Sequence, residues 1–119
     1  MALAKLDTVV LDCPDPRALA GFYAALLGGT LEEQDGWIDL EVDGAQALAF
    51  QAAPGHVPPK WPSPDGSQQF HLDLTVDDLD TAEQEVLRLG ARTLDAEDRS
   101  RSFRVYADPA GHPFCLCRA

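Results

Sequence analysis

The chain has 119 residues, 45% of them apolar, and a formal net charge of −11. That length supports one hydrophobic core and not two, and that apolar content excludes a disordered chain. So acidic a surface repels phosphate backbones and anionic lipid, so neither nucleic acid nor a membrane is an expected partner. No run approaches the roughly 20 apolar residues that span a bilayer. The opening MALAKLD has no basic segment leading into an apolar core, so no signal peptide is expected and the cytoplasm is the expected location. The cysteines are Cys13, Cys115 and Cys117, an odd number without a CxxC spacing, which fits a reducing compartment.

In chain order, LAKLDTVVLDC at 3–13 reads as a strand, with Val9, Leu11 and Cys13 on one face and Thr8, Val10 and Asp12 on the other. Asp15 suits a helix N-cap and Pro16 the first helical position. Leu19, Phe22, Tyr23, Leu26 and Leu27 then repeat at helical spacing until Gly28-Gly29 closes the helix. Short strands are expected around 30–34, 37–42 and 46–52, separated by the turn signals Asp35-Gly36 and Asp43-Gly44. A proline-rich stretch, 54–67, reads as a linker or lid, because proline breaks both helices and central strands.

The pattern then restarts. QFHLDLTV alternates, with Leu72, Leu74 and Val76 on one face and His71, Asp73 and Thr75 on the other. Asp78 caps a second helix, carrying Leu79, Ala82, Val86 and Leu89, which Gly90 ends. Strands are expected near 91–95, 102–107 and 112–118, the last two joined by the turn Asp108-Pro109-Ala110-Gly111. Leu27-Gly28 matches Leu89-Gly90, and Ala20 matches Ala82, a repeat of about 62 residues and therefore a duplicated module. The expected fold is α+β: two tandem βαβββ modules forming a curved mixed sheet around a cavity, with the helices outside. The expected organisation is one domain over 1–119, with module one at 1–53, the proline-rich connection at 54–67 and module two at 68–119.

The stretches DPRALAGFYAALLG at 15–28, FHLDLTVDDLDTAEQEVLRLGA at 70–91 and ADPAGHPFCLC at 107–117 resemble the vicinal-oxygen-chelate superfamily of glyoxalase I, extradiol dioxygenases and bleomycin- and fosfomycin-resistance proteins. PPKWP at 58–62 is similar to a glyoxalase-like subgroup of it. In metal-dependent members, the resemblance implies four ligands in the cavity, from the first and last strand of each module. Mapped residue by residue, these positions fall on Thr8, or Asp7 if the register slips by one, Gln51, His71 and Cys115. His71 matches directly, while Cys115 stands where the family has a glutamate. One imidazole, one amide and one thiol make a weak set for the family's metals. The full metal site is therefore expected to be missing and no cofactor is expected; a divalent metal, if held, would rest on His71 with Cys115 and Gln51.

His71 is the candidate base or anchor, since imidazole titrates near neutrality, with Asp73 beside it on the same face as its catalytic partner. Trp61 in the proline-rich connection is a candidate pocket cover. Trp37, Phe50, Phe103 and Tyr106 are aromatic positions on strands that would line a cavity, and Arg104 would offer it a cation if it points inward, the alternative being an outward orientation. With Thr8, Gln51 and Cys115, residues Trp37, Phe50, Trp61 and Arg104 form the expected ligand-binding set. The expected function is binding of an unidentified small molecule by a homodimer. The alternatives are a lyase- or isomerase-type enzyme using His71, and an accessory domain acting through association.

Overall fold

The structure, a computed structural model, describes residues 2–3, 6–61 and 71–119. Residues 4 and 5 of the expected first strand, Pro62 to Ser67 of the proline-rich connection, and Gln69 and Phe70 before the restart lie outside the described residues. The chain divides into two units, Met1–His56 and Val57–Ala119. Each holds a four-stranded mixed sheet and one helix, so the duplicated βαβββ order read from the sequence is the observed one.

In the first unit, β1 (Val9–Cys13) leads to α1 (Pro16–Leu27), then β2 (Thr30–Gln34), β3 (Trp37–Val42) and β4 (Ala45–Ala52), with sheet order β1-β4-β3-β2. The first strand is shorter than the sequence implies: it starts at Val9, leaving Leu6 to Thr8 outside the ladder. Helix α1 starts where the local chemistry puts it, because the Asp15 side chain accepts a hydrogen bond from the Ala18 N–H and Pro16 needs no partner for an N–H. The sheet alternates from face to face, with a register shift between β3 and β4 at Leu40/Glu41. Leu11, Ile38, Leu40, Leu48 and Phe50 are buried beneath Leu19, Phe22 and Tyr23 of α1. Tyr23 stacks on Phe50 at 5.9 Å between ring centroids. The opposite face carries Val10, Asp12, Trp37, Asp39 and Gln51.

Gly28 caps α1, and Gly29 is the point at which the chain passes closest to β3. A methyl group on Gly29 would stand 2.1 Å from the Glu41 carbonyl oxygen. The sequence marks these two glycines only as a stop signal; the structure gives the second one a packing role as well.

The second unit repeats the plan with β5 (Leu72–Val76), α2 (Leu79–Arg88), β6 (Arg92–Asp95), β7 (Phe103–Ala107) and β8 (Pro113–Arg118), in order β5-β8-β7-β6. Asp78 caps α2, accepting from the N–H groups of Asp80 and Thr81. The helix side of the sheet holds Phe114, Leu116, Tyr106 and Arg104 against Leu79 and Val86. The β7–β8 turn is held by buried Asp108, whose carboxylate accepts from the backbone N–H groups of Ala110 and His112. The face away from α2 carries Asp73, Thr75, Phe103, Val105, Cys115 and Cys117. No helix among the described residues is long and apolar enough to cross a membrane.

Candidate functional site

The site lies on that second face. Asp73 sits opposite Cys115 in the parallel β5–β8 ladder, and His71 directly precedes β5. Alternation along both strands therefore sends His71, Asp73 and Cys115 to one side. Their ligand atoms all lie within 4.8 Å of one another, and among the described residues no other group of three His, Cys, Asp or Glu donors is so gathered. His71 Nε2 stands 3.2 Å from Asp73 Oδ1. The Cys115 thiol is pushed up to about 12, by burial first and by the Asp73 carboxylate second. Cys115 is thus a neutral thiol at physiological pH, without the lowered pKa of a nucleophilic cysteine. Cys117, half-buried on the same face, is shifted upward for the same two reasons.

A cavity of about 490 Å³ opens over this cluster, within the size range of small-molecule sites. Trp61 stands edge-on to His71, with ring centroids 5.9 Å apart. Pro58, three residues earlier, packs so closely on the β7–β8 turn that a methyl group on Gly111 would meet its Cβ at 2.4 Å. The far wall is Phe103 with Arg101, whose guanidinium lies 4.5 Å from the ring centroid and is held by the Asp95 carboxylate at 2.8 Å. Arg118 adds a second cation.

His71, Asp73, Trp61 and Cys115, which the sequence singled out, thus line one cavity, as does Phe103. Three other expected residues are corrected. Tyr106 is fully buried on the α2 side of its sheet, its ring stacked on Phe114. Phe50 is fully buried against Tyr23 and belongs to the core of the first unit, because it shares the parity of Leu48. Arg104 is also buried and faces α2, where it pairs with Asp80 at 2.9 Å and approaches Glu83 at 3.7 Å; the cavity's cations are Arg101 and Arg118 instead. Trp37 lies on the face away from α1, its ring N–H donating to Asp39 at 2.8 Å, beside a cavity of about 190 Å³.

Thr8 and Gln51 lie in the first unit, and the strand register corrects the assignment of Gln51 as the counterpart of Cys115. Both first strands pair in parallel with the fourth strand of their unit. Asp73 lies opposite Cys115 and Thr75 opposite Cys117, whereas Val10 lies opposite Ala49 and Asp12 opposite Gln51. The counterpart of Cys115 is therefore Ala49, and exposed Gln51 corresponds to Cys117. Thr8 keeps its equivalence to His71, each preceding its strand by one residue. Asp7 lies outside the strand as well.

Sequence reasoning missed Asp95, Arg101, Ser102 and Arg118. Arg101 belongs to an irregular segment without periodicity, so no pattern marks it, and Ser102, expected to open a strand, falls just before β7. Cys117 carried a readable signal, since it shares the parity of Cys115.

A family model described as a glyoxalase-like domain matches residues 8–117. Among solved structures, a glyoxalase/bleomycin resistance protein/dioxygenase family enzyme from Burkholderia phytofirmans PsJN superposes with a TM-score of 0.74 at 18% identity, covering 97% of this chain and 98% of that one. The fosfomycin resistance protein FosX from Mesorhizobium loti gives 0.68 at 13% identity, covering 99% and 94%. FosX from Listeria monocytogenes, solved with Mn(II) and sulfate, gives 0.70 at 11% identity, covering 99% and 92%. Among curated proteins none matches. At these identities the structural likeness is one of fold, while the family model spans nearly the whole chain: this protein belongs to the glyoxalase-like domain family.

Proposed function

We propose that the chain binds a small organic molecule on the open face of its second module, with His71, Asp73 and Cys115 as the polar end of the site and Trp61 and Phe103 as apolar walls. The coincidence of the only three-donor cluster among the described residues with a cavity of about 490 Å³ carries this reading. The names of the fosfomycin resistance neighbours support a small-molecule role. The family's full four-ligand metal site is not part of the proposal, because Ala49 and Thr8 stand at first-module positions where strong donors would be needed. Residues 1–119 act as one domain in this reading and pair as a homodimer; light scattering should return twice the 12.9 kDa chain mass, and a clean monomer would remove the dimer. The three free cysteines fit a cytoplasmic location.

The test is a thermal-shift screen on metal-stripped protein. A ligand at a hundred times its Kd stabilises by about 2.7 kcal/mol, a Tm rise of about 10 °C for a chain of this size. His71→Ala should abolish that rise while shifting the unliganded Tm little, because the imidazole is partly exposed and outside the core. Hits that persist undiminished in His71→Ala refute the site, and a broad library without any stabiliser favours an accessory domain acting through association.

A second reading rests on the 3.2 Å approach of His71 Nε2 to Asp73 Oδ1. A carboxylate that orients an imidazole is the arrangement of a general base, so His71 would accept a substrate proton in a lyase- or isomerase-type step, with Asp73 stabilising the imidazolium. Solvent-deuterium exchange into a bound hit, lost in Asp73→Asn although binding survives, is the expected sign of it.

A further inference from the structure

The charges that border the cavity are not equally available to a ligand. They are two carboxylates, Asp73 and Asp95, and two guanidiniums, Arg101 and Arg118. Arg101 is already engaged: its Nη2 donates to the Asp95 carboxylate at 2.8 Å and to the Asp95 carbonyl at 3.1 Å, and its guanidinium covers the Phe103 ring. That pair is neutral as a unit, and the Arg101 Nε is buried out of a ligand's reach. Arg118 is the last rung of β8, opposite Val76, with its N–H bonded to the Ser102 carbonyl. It therefore has the parity of buried Leu116, and its side chain leaves the sheet end from the α2 side. Asp73 differs from all three. It stands on the open face with its side chain 64% exposed, and its neighbour there, His71, offsets its charge only when protonated. Its field reaches along that face: after burial, Asp73 is what raises both the Cys115 and Cys117 thiols, and the opposing pull of Arg101 on Cys115 is smaller.

We infer that the cavity takes an organic cation, a protonated amine or amidine carried on an apolar ring, with the charged nitrogen on Asp73 and the ring against Trp61 and Phe103. The inference rests on the ligand-binding reading above and names the chemistry of its ligand. A protonated nitrogen at Asp73 gains a charge-assisted hydrogen bond. An anion at the same place meets repulsion, and the nearest cation, Arg101, is already paired. Phe103 is a large apolar side chain left 37% exposed, which an apolar ring covers, and the face of an indole such as Trp61 attracts positive charge besides. The chain's net charge of −11 adds a long-range field that draws cations in and turns anions away.

The test titrates the metal-stripped full chain, by calorimetry, with three probes that share one ring system: naphthylmethylamine, naphthylmethanol and naphthoate. The amine should bind about 10-fold tighter than the alcohol and at least about 100-fold tighter than naphthoate, as one charge-assisted hydrogen bond is gained or opposed. Added salt should weaken the amine and leave the alcohol unchanged. Asp73→Asn, isosteric and at an exposed position, should cost the amine about 10-fold without abolishing its binding, and change the alcohol by less than about 2-fold. Arg101→Gln should leave the amine bound at least as tightly, since it releases the Asp95 carboxylate. Far-ultraviolet dichroism establishes that both variants are folded. In the ligand screen, hits lost in His71→Ala should be predominantly cations. Naphthoate bound as tightly as the amine, an amine indifferent to Asp73→Asn, or screen hits mostly neutral or anionic would each overturn this inference while leaving the ligand site standing. A screen without any stabiliser would overturn both.

Discussion

Gly29→Ala is expected to destabilise the protein by about 3–4 kcal/mol, a large part of the 5–15 kcal/mol that holds a domain of this size together. Two costs add. Gly29 adopts φ +93, where an L side chain is strained, a penalty on the order of 1–3 kcal/mol. Its Cβ would also stand 2.1 Å from the Glu41 carbonyl oxygen and 3.1 Å from Val42 Cγ2. Backbone does not swing aside as a side-chain tip does, so β2 must separate from β3 at its first rung, Thr30 opposite Glu41, and overpacking of this sort costs about 1–3 kcal/mol. Gly21, in the exposed interior of α1, has open space around its Cα. Gly21→Ala should therefore move stability the other way, by up to about 1 kcal/mol. Urea midpoints of the two variants, with m unchanged, check both signs; a Gly29→Ala midpoint equal to that of the parent chain would show that the strand ends yield freely.

The contrast between these two glycines also shows which parts of the molecule the sequence could reveal. Helix starts were legible because capping is local: Asp15 and Asp78 each bond N–H groups two or three residues away. Strand positions followed from alternation bounded by Asp-Gly turns. The duplicated order followed because both modules use the same stop and cap chemistry. What did not follow was anything requiring the partner across a ladder. Phe50 and Gln51 were both expected to line a cavity, yet neighbours on a strand point to opposite faces, so at most one of them can share a face with Trp37. Arg104 failed in the same way, since Phe103 and Val105 share the parity of Cys117 and Cys115. That parity was available in the sequence once the Asp108-Pro109-Ala110-Gly111 turn had fixed the hairpin.

The donor cluster was more legible than the cavity around it. His71 and Asp73 are two apart at the start of β5, His71 directly before it, and Cys115 was placed by counting from the turn, so alternation brought out the three residues that converge. The assignment of Gln51 as the first-module equivalent of Cys115 failed because it needs the β1–β4 register. Arg101 lies in the irregular segment between β6 and β7, where it is fixed by Asp95 and Phe103. No periodic rule reaches such a residue, and its role is visible only once those neighbours are in place.

Glu83 should make stability strongly pH-dependent. Its carboxylate accepts from Arg99 at 2.7 and 2.9 Å and from the Tyr106 hydroxyl at 2.8 Å, with Arg104 at 3.7 Å. The Arg99 hydrogen bonds, acting against the cost of burial and helped by Tyr106, lower its pKa from 4.5 to about 2. The Tyr106 hydroxyl moves upward in turn, by burial first and by Glu83 second. Above about pH 5 the carboxylate is ionised in both folded and unfolded chains, and the network contributes its full stabilisation. The shift converts to about 3 kcal/mol, appropriate for a side chain only 12% exposed. As pH falls from about 5 to 2 the unfolded chain takes up the proton first, so this contribution drains away on the acid side. Glu83→Gln keeps the shape and an acceptor for Tyr106 but leaves Arg99 without its ionic partner and buried Arg104 with Asp80 alone. The variant should be less stable by about 3 kcal/mol at pH 7, with the gap closing towards pH 2. Exposed carboxylates such as Asp78 and Asp98 titrate equally in both proteins, so the difference between the two acid limbs isolates Glu83. Parallel limbs in urea denaturation at pH 7 and pH 3 would contradict the assignment. The network lies across the sheet from the site: it packs Arg104 and Tyr106 against α2, while strand alternation puts Phe103 and Val105 on the face that carries Cys115.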